Sequence, residues 1–166
     1  MAVNPNKVAV LDLGSARTKM LLAERAVNGN ALKIVRVRDE TETHKFRGTD
    51  GTMQSTFVGL LRQTLERFKR LALRRGAKHA IVVATEAFRT TANGRDVLRN
   101  IEDIVGKSTL LSTHLEGSVF FEGLIEAYGS AVGTFAAADI GGGRLAGVRL
   151  LIGQRHFWHL RLKFVD

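Results

Sequence analysis

The sequence predicts an α/β fold: a three-stranded antiparallel opening, then helices alternating with short apolar strands, then the first strands of a second unit. Three observations carry that expectation. Val8 to Leu22 reads as an apolar strand, a Gly14-Ser15 turn and a returning apolar strand. Residues 53–75 hold a sustained amphipathic helical period, and a short apolar run suited to a parallel strand follows it. Phe135 to Leu151 then repeats the opening grammar, with Asp139 where the first strand had Asp12 and Gly141-Gly142-Gly143 where it had Gly14-Ser15.

In chain order, the two opening strands are followed by Ala31–Arg38, where Leu32, Ile34, Val35 and Val37 support a third strand and an antiparallel meander. Asp39–Gly51 is polar and aperiodic and reads as a loop, with His44, Lys45 and Arg47 within reach of an anion or simply exposed. In Met53–Arg75, Phe57, Leu60, Leu61, Leu65, Phe68, Leu71 and Ala72 form one apolar stripe, and Gly76 ends the helix. His79–Ala84 is a short apolar strand, expected to be covered by a helix on each side. A helix follows Ala84–Asn93, with Asn93 as its cap, Val97, Leu98, Ile101, Ile104 and Val105 inward, and Gly106 at its end. Thr109–Ser112 is a short strand and Gly117–Tyr128 a helix, with Val119, Phe120, Leu124 and Ala127 on its buried side. The order βββαβαβα completes one domain over residues 1–130. Residues 131–166 supply three more strands, Phe135–Ile140, Leu145–Ile152 and His156–Leu162, as the incomplete start of a second. Three strands without helices leave an apolar face to cover, so either the chain is cut short or a second copy or partner covers 134–166.

Composition narrows the function classes. There is no cysteine, which removes disulfides and thiolate metal sites. No secretory leader pattern and no run long enough to span a bilayer is visible, so the expected location is the cytoplasm, away from membranes. The net charge of +9 favours polyanions: nucleotides, polyphosphate, nucleic acid or an acidic protein face. Aromatic residues are 7% of the chain and show no basic-aromatic pattern, which disfavours nucleic acid.

The chemistry-bearing residues sit at the two glycine turns. Gly14 and Ser15 allow backbone N–H groups to approach a phosphate closely, and Lys19 lies just beyond them. Asp12 would repel phosphate directly, so it is suited to a divalent cation held through water. An ordinary hairpin turn is the alternative. His156 and His159 would leave a strand on opposite faces, which argues against a metal pair there.

Two acid-ended, glycine-turned hairpins resemble the actin, sugar-kinase and heat-shock ATPase superfamily, in which two ribonuclease-H-like domains each present one hairpin to a shared cleft. Within it, the sequence resembles the exopolyphosphatase and guanosine-pentaphosphate phosphohydrolase (Ppx/GppA) family. Four ordered motifs carry the resemblance: Asp12-Leu13-Gly14-Ser15; Ala84-Thr85-Glu86-Ala87-Phe88-Arg89-Thr90-Thr91-Ala92-Asn93, the most specific; Glu122-Gly123-Leu124-Ile125-Glu126-Ala127-Tyr128-Gly129; and Asp139-Ile140-Gly141-Gly142-Gly143. The resemblance implies Glu122 as the general base activating water, and Arg89 as the phosphate-binding, charge-stabilising residue. It implies Gly14, Ser15, Lys19, Gly141, Gly142 and Gly143 as the phosphate cradle, with Asp12 and Asp139 holding Mg2+. The implied substrate is polyphosphate or guanosine pentaphosphate. Departures stand beside the matches. Ala16 and Arg17 replace the family's Asn-Ser, Arg144, Leu145 and Ala146 replace its Ser-Thr-Glu, and Lys19 matches a lysine of the wider ATPase group. A non-catalytic module gripping polyanions or nucleotides is therefore the competing expectation, and an actin-like ATPase fragment the third.

Overall fold

The computed structural model describes residues 7–25, 32–42, 48–128, 135–140, 145–151 and 157–163, with side chains described for 7–24 and 48–126. The chain divides into two units, Met1–Leu110 and Leu111–Asp166.

The first unit is a five-stranded mixed sheet in the order β3-β2-β1-β4-β5. β1 (Lys7–Leu13) and β2 (Arg17–Arg25) form the opening hairpin, and β3 (Leu32–Glu42) extends it antiparallel. The chain then crosses back through α1 (Ser55–Arg74), so that β4 (His79–Ala84) pairs parallel with β1 and β5 (Ser108–Leu110) parallel with β4. The hydrophobic alternation decides which face is which. Ala9, Leu11 and Leu13 of β1, with Met20 and Leu22 of β2, are buried against Phe57, Leu61, Leu65, Phe68 and Ala72 of α1. Each such large apolar side chain contributes about 1.5–3 kcal/mol when fully removed from water. Gly76, at φ 85°, turns the chain out of α1, as a glycine in the left-handed region commonly does.

Three expectations change on contact with tertiary structure. Leu60 belongs to the apolar period yet is 40% exposed, because it lies at the rim of the stripe facing the sheet. β4 is not covered on both faces by the described residues: Val82 and Ala84 are buried towards α1, whereas Ile81 on the opposite face is 54% exposed. The helix expected after Asn93 is two short ones, α3 (Gly94–Arg99) and α4 (Glu102–Val105), and the segment before it holds a further short helix, α2 (Glu86–Thr90). The end of α2 has a local cause. The hydroxyls of Thr90 and Thr91 donate back to the carbonyls of Glu86 and Ala87, at 3.0 and 2.8 Å, and Thr91 leaves the helix in extended backbone, φ −92° and ψ 142°. Gly106, at φ 76°, ends α4.

In the second unit, α5 (Thr113–Tyr128) starts behind Ser112, whose hydroxyl oxygen accepts the Leu115 N–H at 3.1 Å in an N-cap. Phe121 is its buried anchor, and Val119, expected inside, is 57% exposed. Ala127 lies outside the described side chains. β6 (Phe135–Ile140), β7 (Leu145–Leu151) and β8 (Phe157–Lys163) form the antiparallel meander that the sequence led us to expect. Among the described residues, no helix is long and apolar enough to cross a membrane.

Candidate functional site

β1 and β4 run parallel, with Leu13 and Ala84 as register partners, so the chain leaves both strands at the same edge of the sheet. The carboxyl edge of parallel strands is where open α/β sheets bind ligands, because side chains and loops there are released from the ladder. From β1 the chain enters the Gly14–Ala16 turn. The Gly14 N–H donates to the Arg17 carbonyl at 3.1 Å and closes that turn. A Cβ on Gly14 would lie 2.9 Å from the same carbonyl, so this close approach requires glycine. From β4 the chain enters Thr85, whose N–H donates to the Leu13 carbonyl at 3.2 Å. α2 follows directly, with the Arg89 N–H donating to the Thr85 carbonyl at 3.3 Å. Arg89 thus stands one helical turn from a peptide bonded to the residue preceding Gly14.

Asp12 is half-buried on the sheet face opposite α1. Lys19 is its direct cross-strand partner, so both side chains leave the same face, and Lys19 is exposed. Arg17 at the turn is also exposed, and Arg89 is half-buried. One edge of the first unit therefore gathers Asp12, Gly14, Ser15, Lys19 and Arg89.

The remaining candidates belong to the second unit. Glu122 is exposed on α5. Asp139 is the penultimate residue of β6, in register with Gly147 of β7. Gly141, Gly142 and Gly143 lie outside the described residues, as do His44, Lys45 and Arg47. Among the described residues, no group of three or more His, Cys, Asp or Glu side chains is placed to enclose a metal. Asp12 by itself offers only the carboxylate oxygens of a single side chain, the donor type that a hard cation takes.

The feature that sequence reasoning misread is Asn93. It occupies the N-cap position of α3 but makes no capping bond. Its side-chain amide instead pairs with the backbone of Met53: Oδ1 accepts the Met53 N–H at 2.8 Å, and Nδ2 donates to the Met53 carbonyl at 2.9 Å. The Ala92 N–H adds a bond to the Gly51 carbonyl at 3.2 Å. Gly94 makes the bend compact, since a Cβ there would strike the Phe88 carbonyl and sit 2.8 Å from the Thr91 hydroxyl. Phe88 in turn packs on Phe57, ring centres 6.5 Å apart, which ties α2 to the core. The Arg89 segment is held from three sides: by Leu13, by Met53 and by α1. The only signal in the sequence was the position of Asn93 at the end of the longest motif.

A model of the Ppx/GppA phosphatase family matches residues 10–150. An exopolyphosphatase 1 from Mycobacterium tuberculosis is 24% identical over 140 residues, covering 84% of this chain and 41% of that protein. Among solved structures, a Ppx/GppA enzyme of Aquifex aeolicus superposes with TM-score 0.77 at 22% identity, over 94% of this chain and 52% of the other. An exopolyphosphatase from Cytophaga hutchinsonii gives TM-score 0.76 at 19% identity, over 95% of this chain and 50% of the other. The fold is therefore the actin-like ATPase type, and the chain spans about half the length, or less, of the relatives it matches.

Proposed function

Because the chain belongs to the Ppx/GppA phosphatase family, we propose that it contributes one wall of a phosphohydrolase cleft that removes the terminal phosphate of polyphosphate or guanosine pentaphosphate. The observation that carries this reading is the Leu13–Thr85 junction, which holds the Arg89 helix and the Gly14-Ser15 turn at one sheet edge.

In this reading the turn that Gly14 closes, through the backbone N–H groups from Ser15 onward, and the Gly141–Gly143 segment cradle the phosphate chain, and Lys19 adds charge at its side. Arg89 grips the terminal phosphoryl group through its planar guanidinium and stabilises the equatorial oxygens during transfer. Glu122 takes a proton from the attacking water as the new P–O bond forms and the bond to the next phosphate breaks. Asp12 and Asp139 would hold Mg2+, which supplies charge neutralisation at the bridging oxygens when bound.

The test is phosphate release from long-chain polyphosphate and from guanosine pentaphosphate with magnesium, against Glu122→Gln and Arg89→Ala variants. Release that depends on both residues is the expected result. Release no greater than that of the Glu122→Gln variant removes the catalytic reading.

A second reading is favoured by one observation: Arg144, Leu145 and Ala146 stand where the resemblance expects Ser-Thr-Glu, so a hydroxyl and a carboxylate beside the metal are missing. In that reading the chain binds polyanions or nucleotides without turnover, and its binding weakens as ionic strength rises.

A further inference from the structure

The seam between α1 and α4 carries a run of positive charge that the proposed cleft does not use. Two hollows adjoin along it, sharing Ile104. One, of about 460 Å3, is lined by Arg62, Glu66, Arg67 and Arg70. The other, of about 130 Å3, has Lys69, Lys78 and His79 at its mouth over an apolar floor. The carboxylates nearby are few and engaged. Glu66 pairs with Arg70 at 3.7 Å, and Asp103 with Arg62 at 2.6 Å. Lys69 and Lys78 are exposed and have no ion-pair partner among the described residues. Five cations therefore face two carboxylates along this groove.

The position of the groove is as informative as its charge. Lys78 and His79 sit at the start of β4, whereas the Gly14 turn and Thr85 sit at its end. About 17 Å of strand separates the two. A ligand in contact with both would have to exceed that length and pass from the α1 face, where the groove lies, to the carboxyl edge of the sheet.

We propose that the α1–α4 seam is a secondary binding groove for a distal segment of a long inorganic polyphosphate chain, separate from the terminal-phosphate site. This rests on the phosphate-chain reading given above. The groove supplies a high density of positive charge, which suits a chain that carries phosphate throughout.

The experiment compares the chain with its Lys69→Glu/Lys78→Glu double variant in equilibrium binding of long-chain polyphosphate and of tripolyphosphate, as a function of salt. The double variant is expected to bind the long chain about tenfold more weakly at low salt. Its dependence of log affinity on log salt should be shallower by roughly 1.4 for two lost phosphate contacts. Tripolyphosphate binding should be unchanged. The Lys69→Gln/Lys78→Gln pair should show the same trend to a smaller degree, and it gives the comparison should charge reversal unfold the protein. Equal long-chain affinity in wild type and variants overturns the proposal, as does a wild type that does not bind long chains. Tighter binding of duplex DNA than of polyphosphate at equal phosphate concentration also overturns it. The readout is binding, so an absence of turnover, which would refute the catalytic reading, does not imitate failure here.

Discussion

Replacing Asn93 with Ala removes both halves of an amide–peptide pairing, 2.8 Å from the Met53 N–H and 2.9 Å from the Met53 carbonyl. Each bond contributes about 1 kcal/mol net, and stranding the amide of Met53, itself 5% exposed, adds part of a desolvation cost. The total is about 2–3 kcal/mol. For a protein of this size each kcal/mol corresponds to about 2–4 °C in Tm, so a fall of roughly 4–12 °C is expected. Asn93→Asp separates the two bonds. It keeps an acceptor for the Met53 N–H but sets a second carboxylate oxygen against the Met53 carbonyl. It should therefore destabilise at neutral pH and recover in part below about pH 4, where a protonated acid donates again. Urea unfolding supplies the free energy, and hydrogen exchange at the Met53 amide supplies the local readout. An Asn93→Ala protein with an unchanged midpoint and unchanged Met53 exchange would refute the claim that this side chain holds the Arg89 bend.

Gly94→Ala should cost about 1–3 kcal/mol despite alanine's better helix propensity, because the added methyl meets the Phe88 backbone and the Thr91 hydroxyl and neither retreats cheaply; a stabilised variant in thermal melts contradicts it. Thr18→Val should be neutral or stabilising by up to about 1–2 kcal/mol. The Thr18 hydroxyl is fully buried with no hydrogen-bond partner among the described residues, and valine removes that group at nearly constant shape. Clear destabilisation by urea unfolding would show that a partner exists. The hydrogen bond from Arg62 holds the Asp103 carboxyl below its ordinary value of 3.8. A lowered folded-state pKa stabilises above the unfolded value and is lost as pH falls through the folded one. The small Tm difference between wild type and Asp103→Asn should therefore be present at neutral pH, close below about pH 3.8 and shrink in high salt.

Where periodicity ran over many residues, the sequence was a good guide. The stripe on α1 named Phe57, Leu61, Leu65, Phe68 and Ala72, all of them buried. The hairpin strands and the later meander were equally legible, since apolar runs bounded by glycine turns leave few alternatives. Short-range competition was harder to see. Thr90 and Thr91 close the short helix α2, which precedes the expected one, through bonds to carbonyls one turn back, and Asn93 has the residue type of a cap but finds a better partner forty residues away in sequence. Neither outcome follows from residue type alone. Ile81 shows the same limit for burial, because an apolar run does not say how many faces of a strand are covered.

By itself, then, the sequence determined the strand and helix order, the core stripe, the motifs that mark the family and the small-residue turn after β1. These depend on local pattern and on which side chains tolerate a tight bend. Only the tertiary structure decided that Arg89 and Gly14 share one edge, through the 3.2 Å bond between Thr85 and Leu13, and that Asn93 is a clasp. Both are contacts between segments far apart in the chain. Their geometry follows from parallel pairing of β1 with β4, which residues 14 to 84 can express only once folded.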